Sequence, residues 1–142
     1  MEKSRRVFLD CNVLVDFLET GRQRHLECLK LVRYLTNNSV EVYFSEDMLS
    51  TIYYIVEDKE RCLEFFSKIL FLWKIVSFGL DVVKSAIEQS LKRGIDFEDL
   101  LQCLCAIENN CDVFITNDKS ISNSKILVHS YEDFFEREKV KF

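Results

Sequence analysis

Val7-Phe8-Leu9-Asp10-Cys11-Asn12 is a short apolar run that stops abruptly on an acid and an amide. About a hundred residues further on, Val113-Phe114-Ile115-Thr116-Asn117-Asp118 has the same form. Runs of this length, rich in β-branched and aromatic side chains, suit buried strands and are too short for core helices. In an open parallel sheet the C-terminal strand ends border the crevice where ligands bind. Two carboxylates delivered at such ends, Asp10 and Asp118, can therefore share one site despite their separation in sequence.

The rest of the chain alternates around these two runs. Strands are expected at residues 7–9, 42–44, 74–76, 113–115 and 126–128. Helices are expected at 13–19, 24–35, 48–56, 60–72, 82–92, 97–109 and 131–136. Strands separated by helices imply right-handed crossovers and a mainly parallel sheet of about five strands covered on both faces, a three-layer α/β/α arrangement. The 142 residues suit one domain spanning 1–142. In the second helix Leu26, Leu29, Val32 and Leu35 recur at helical spacing, with Arg24, Glu27, Lys30 and Arg33 between them, and we read the leucine stripe as the core face.

Composition narrows the function classes. At 48% hydrophobic residues with 12 Phe, the chain has ample core material and is not disordered. With no Pro and only 3 Gly, it has neither a linker nor a glycine-rich phosphate loop. No apolar stretch is long enough to span a bilayer, so no membrane role is expected. A formal net charge of -5 argues against binding nucleic acid by bulk electrostatics. It does not argue against a phosphodiester substrate held at a carboxylate site that recruits cations. Cys11, Cys28, Cys62, Cys103, Cys105 and Cys111 lack zinc-site spacing and fall mostly in apolar stretches, as free thiols do in a reducing cytoplasm.

Four acids are candidate ligands: Asp10, Asp96, Asp99 and Asp118. Asp96 precedes Phe97-Glu98-Asp99 and is equally a helix N-cap, with Asp99 in the position of a capping-box acid. Clustered carboxylates repel one another unless a cation sits among them. Hard oxygen donors select Mg²⁺ or Mn²⁺, ions that activate water for in-line phosphodiester displacement. Asn12, Thr116 and Asn117 stand where they could orient waters or a carboxylate, or serve only as local turn residues.

Residues 7–16, Val-Phe-Leu-Asp-Cys-Asn-Val-Leu-Val-Asp, resemble the opening of the PIN domain family, where a strand ends in Asp-x-Asn and the Asp is the first metal ligand. Residues 96–106, from Asp96 through Asp99 to Ala106, resemble the family's later acidic helix, and Asn110 to Asp118 its Thr-Asn-Asp strand end. The resemblance covers nearly the whole chain. It implies a Rossmann-like fold, Mg²⁺- or Mn²⁺-dependent endoribonuclease activity on RNA, and most often the toxin role in a VapC-type toxin–antitoxin pair, with an antitoxin partner and frequent homodimers. On this register Asp10, Asp99 and Asp118 hold metal and Asp96 is an accessory acid. One position departs: the family usually carries a Glu on the helix after its second strand, where this chain has Thr51. A sub-branch of the family has a small polar residue there before a Tyr-Tyr pair, as in Tyr53-Tyr54. Glu46 and Asp47, at the start of that helix, are the acids that could substitute, and otherwise favour its dipole.

The remaining candidates are weaker. His25 and His129 have no nucleophile partner at motif spacing and are read as surface residues. Tyr53, Tyr54, Phe65, Phe66, Phe71 and Trp73 could stack bases, but we read the Phe residues as core. Arg5, Arg6, Arg22, Arg24 and Lys119 are candidate phosphate contacts. Two competing functions follow: a degenerate PIN module that binds RNA or protein without catalysis, motivated by Thr51, and an aspartyl-phosphate phosphatase using Asp10 as nucleophile. The second is disfavoured because such enzymes carry a further Asp where Asn12 stands.

Overall fold

In a computed structural model, which describes residues 5–140, the apolar runs become five strands in one all-parallel sheet of order β3-β2-β1-β4-β5. The strands are β1 (Arg6–Leu9), β2 (Glu41–Ser45), β3 (Lys74–Val76), β4 (Val113–Ile115) and β5 (Leu127–His129). Among the described residues there are seven helices: α1 (Cys11–Leu18), α2 (His25–Asn37), α3 (Asp47–Ile55), α4 (Lys59–Leu72), α5 (Gly79–Arg93), α6 (Phe97–Glu108) and α7 (Tyr131–Glu138). The expected mainly parallel sheet is thus entirely parallel, and only element ends differ, by up to three residues at α5. None of these helices is long and apolar enough to cross a membrane.

Successive strand residues point to opposite faces, so a strand covered on one side alternates buried with exposed. Val7, Phe8 and Leu9, like Val113, Phe114 and Ile115, are instead all buried, so helices cover both faces of the sheet centre. Phe8 and Phe114 stack across the strand pair at 5.6 Å between ring centres. α1, α2, α3, α4 and α7 form one contiguous set of contacts. α5 and α6 pack on each other around Val82, Ala86, Leu100 and Leu101, and α6 also touches β2 and β4.

The strand order places the site. The chain builds outward from β1 to β2 and β3, then α5 and α6 carry it back to lay β4 on the other side of β1. β1 and β4 therefore flank the switch point, where diverging connections leave a crevice at the strand ends.

Several sequence readings need correction. The buried stripe of α2 is His25, Cys28, Leu31 and Leu35, while Leu26 is 71% exposed. The leucine register was off because the true stripe includes a histidine and a small thiol. His25 is not a surface residue: its Nδ1 lies 2.8 Å from the carbonyl oxygen of Asp16. His129 is only half-buried, and burial pushes its pKa below the usual range. Phe65 joins the core as expected, but Phe71 is 89% exposed at the end of α4. Tyr53 and Tyr54 are also exposed.

The corrected α2 register has a direct consequence for stability. Leu31→Ala should cost about 2–5 kcal/mol by leaving a core cavity, and Leu26→Ala less than about 0.5 kcal/mol. Urea unfolding of both variants checks this, and equal losses would contradict the register.

Candidate functional site

The pairing of Leu9 with Ile115 brings the two strand ends side by side. Asp10 N donates to Ile115 O at 3.0 Å, continuing the ladder by one residue. At that point the chain turns into α1, and Asp10 caps it by accepting Cys11 N at Oδ1, 2.8 Å. Its other oxygen, Oδ2, accepts the Thr116 hydroxyl at 2.8 Å, and Thr116 Oγ1 accepts Asp118 N at 3.1 Å. The buried Thr116 thus links the two strand-end acids through one hydroxyl. Asp118 sits on the next turn, its Oδ1 accepting both the backbone N (2.9 Å) and the hydroxyl (2.6 Å) of Ser120.

Asp99 joins from α6. Asp96 caps that helix by accepting Asp99 N at 3.0 Å, so the N-cap expected there forms, while the complete two-bond capping box is found instead at α7, between Ser130 and Asp133. The Asp99 carboxyl is half-buried and pushed up to about 6, first by desolvation and then by the charges of Asp96, Asp118 and Asp10. Asp10 is likewise raised, chiefly by burial, against the lowering pull of Thr116 and Cys11, with Asp118 adding repulsion. Asp118 is lowered by its two bonds from Ser120. Asp10, Asp99 and Asp118 therefore share one electrostatic neighbourhood. Among the described residues, no three acidic, thiol or imidazole groups stand gathered as a ready-made metal cluster. As a donor set the three acids fit a hard divalent cation: they are all oxygen donors, and their mutual repulsion is what such an ion relieves.

The supporting residues divide. Asn117 Oδ1 accepts Tyr131 N at 3.1 Å, starting α7. Asn12 is exposed on α1, and Thr51 is half-buried on α3. Glu46 is taken by the Ser77 hydroxyl at 3.0 Å, whereas the charge of Asp47 reaches Cys11, next to Asp10. Of the basic candidates, Arg6 pairs with Glu41, Arg22 with Asp16, and Arg24 with Glu27 and Glu132, so those three are committed to ion pairs. Lys119 borders a cleft of 480 Å³ beside Asp118.

Sequence reasoning missed one buried polar group that braces the site. Asp16, 5% exposed on α1, accepts Arg22 Nε at 2.7 Å and the Tyr131 hydroxyl at 2.6 Å. Through Tyr131 and Asn117 this network ties α1 to the Thr116–Asp118 segment. The signal was an acid inside the otherwise apolar stretch Val13-Leu14-Val15-Asp16-Phe17-Leu18.

Comparisons with known proteins come down on the same fold. The protein-family model described as "PIN domain" matches residues 6–120. Ribonuclease VapC1 of Aquifex aeolicus is 33% identical over 138 residues, covering 94% of this chain and 96% of its own. VapBC2 from Rickettsia felis, solved bound to a DNA fragment from its promoter, superimposes with a TM-score of 0.63 at 20% identity, covering 88% of this chain and 98% of its own. VapC20 of Mycobacterium tuberculosis, described as a sarcin-ricin loop cleaving toxin, gives a TM-score of 0.63 at 14% identity over 79% of this chain and 91% of its own.

Two predictions follow from the geometry. Because folding raises Asp99, its ionisation opposes the folded state, a penalty absent at low pH and complete once pH has risen past about 6. In EDTA, Asp99→Asn should therefore melt roughly 3–6 °C above the wild type near pH 7.5, with the gap closing toward about pH 4. A gap that ignores pH would contradict the cluster. Tyr131→Phe should cost about 1.5–3 kcal/mol in chemical denaturation, since it removes a bond to a buried carboxylate; a neutral result would contradict the brace.

Proposed function

This chain belongs to the PIN domain family, and we propose that it is a Mg²⁺- or Mn²⁺-dependent endoribonuclease, the toxin of a toxin–antitoxin pair. The observation that carries this reading is the strand-end hydroxyl bridge, Thr116 bonded to Asp10 at 2.8 Å and to Asp118 N at 3.1 Å, with Asp99 raised in part by the charges of both acids. Asp10, Asp99 and Asp118 would hold the cation, and Asp96, already engaged as a cap, would act only through its charge. Bound there, such an ion supplies an activated water and neutralises the leaving oxygen of a phosphodiester.

The chain's own residues do the positioning. Thr116 and Cys11 N fix both oxygens of Asp10, and Ser120 fixes one oxygen of Asp118 while leaving the other open. Asp47, whose charge reaches the start of α1, is the acid nearest in role to the Glu that Thr51 replaces. The likeness to Ribonuclease VapC1 over nearly the full length supports RNA as substrate. The likeness to VapBC complexes supports an antitoxin partner. Tyr54 near the end of α3 and Phe71 and Leu72 at the end of α4 are exposed apolar side chains, of the kind that marks protein contacts, and we read them as serving self-association. Six free thiols support residence in a reducing cytoplasm.

A non-catalytic binding module is the second reading, favoured by the uncharged Thr51. Cleavage of RNA in Mn²⁺ separates the two. Wild type should cleave, Asp10→Ala should lose at least about 100-fold, and Thr116→Val, which removes the bracing bond to a ligand, about 10-fold. Equal cleavage by wild type and Asp10→Ala, each freed of any partner, would overturn the assignment.

A further inference from the structure

Two clefts with no lining residue in common lie near the acidic centre, and the charge of their linings differs in sign. The cleft beside Asp118 is bordered by Asp118, Glu132 and Asp133 against Lys119 and Arg24, and Arg24 is already paired with Glu27 and Glu132. The other, of 540 Å³, lies between the α5–α6 pair and the loop after β4, and carries Arg93 and Lys125 with no acid in its lining. It runs on into the acidic centre: its lining residues Ile95, Leu100, Ser122 and Asn123 also line a 100 Å³ recess that contains Asp99.

The walls of this groove are built, not incidental. Gly94, at φ 66°, ends α5 in the left-handed conformation that glycine tolerates, and Ser90 Oγ donates to Ile95 O at 2.7 Å across the turn. On the loop after β4, Asn123 closes a turn by accepting Lys125 N at 2.8 Å, which sets Lys125 in the groove lining. A cation in the last turn of α5 is already favoured by the helix dipole, which accounts for Arg93 but not for Lys125 opposite it. Neither residue has an ion-pair partner among the described residues. In a chain of net charge -5, two unpaired cations in a groove that leads to a carboxylate cluster mark a path for a polyanion.

We propose that this groove seats the backbone phosphates of single-stranded RNA on one side of the bond to be cut, with Arg93 and Lys125 as the phosphate contacts and Gln89, Ser122 and Asn123 as neutral polar partners. The inference rests on the ribonuclease reading for its choice of ligand. The cleft beside Asp118, where acids outnumber cations, repels the strand, so RNA enters from the α5–α6 side.

The test separates binding from cleavage. Anisotropy of a labelled single-stranded oligoribonucleotide in EDTA gives binding across a salt series, and cleavage in Mn²⁺ gives kcat and KM. Arg93→Gln/Lys125→Gln should bind about 10-fold more weakly, flatten the salt dependence by about 1.4 logarithmic units, near 0.7 per lost phosphate contact, and raise KM with kcat unchanged. If wild type cleaves and the double variant matches it in binding and KM, or if Lys119→Gln carries the loss instead, the groove assignment is overturned while the ribonuclease reading stands. If wild type binds through the pair but cuts nothing, the ribonuclease reading fails and the groove remains. A double variant that loses affinity for a protein partner but not for RNA would also overturn the proposal.

Discussion

The parallel pairing of β1 with β4 is the constraint on which the rest of the molecule depends. It sets Leu9 opposite Ile115, so the next residue on each strand, Asp10 and Thr116, meet at hydrogen-bond distance. Such a pair of neighbours arises only because the chain leaves β3, passes through α5 and α6, and returns to the far side of β1. That same return carries Asp99, whose carboxyl feels the charges of Asp118 and Asp10. One topological step thus supplies Asp99 and Asp118, and the strand register supplies the Thr116 hydroxyl that links Asp10 to the Asp118 amide.

Gathering like charges works against stability. In the folded protein Asp99 is pushed up to about 6 and Asp10 is also raised, so the site resists its own full ionisation. Burial outweighs repulsion at both acids, and it limits the water that could screen the charges. The neutral and paired groups around them, Thr116, Ser120 and the Cys11 amide, hold the carboxylates without cancelling their charge. Such a set of like-charged oxygen donors has the chemistry that suits a hard divalent cation rather than that of an ion-pair network.

Much of this was legible in the sequence, for physical reasons that also mark the limits. The strands could be read because Val7–Leu9 and Val113–Ile115 are apolar on both faces, a pattern that only a doubly covered sheet demands. The strand-end acids could be read because the runs stop on them. The α2 register could not, since the buried face uses His25, bonded to a backbone carbonyl, and Cys28, so hydrophobic ranking favoured the wrong stripe. Asp16 hid inside an apolar helix because its partners, Arg22 and Tyr131, come from elsewhere. Arg93 and Lys125 lie 32 residues apart in sequence, and only the packing of the loop after β4 against α5 and α6 makes them one surface.

The central claim is that the carboxylates at these strand ends form one cation site. Titration calorimetry of Mn²⁺ into the wild type and Asp118→Asn, both verified as folded, tests it most directly. The account predicts saturable binding to the wild type that Asp118→Asn loses. Indistinguishable titrations for the two proteins, or no binding by the wild type, would contradict it.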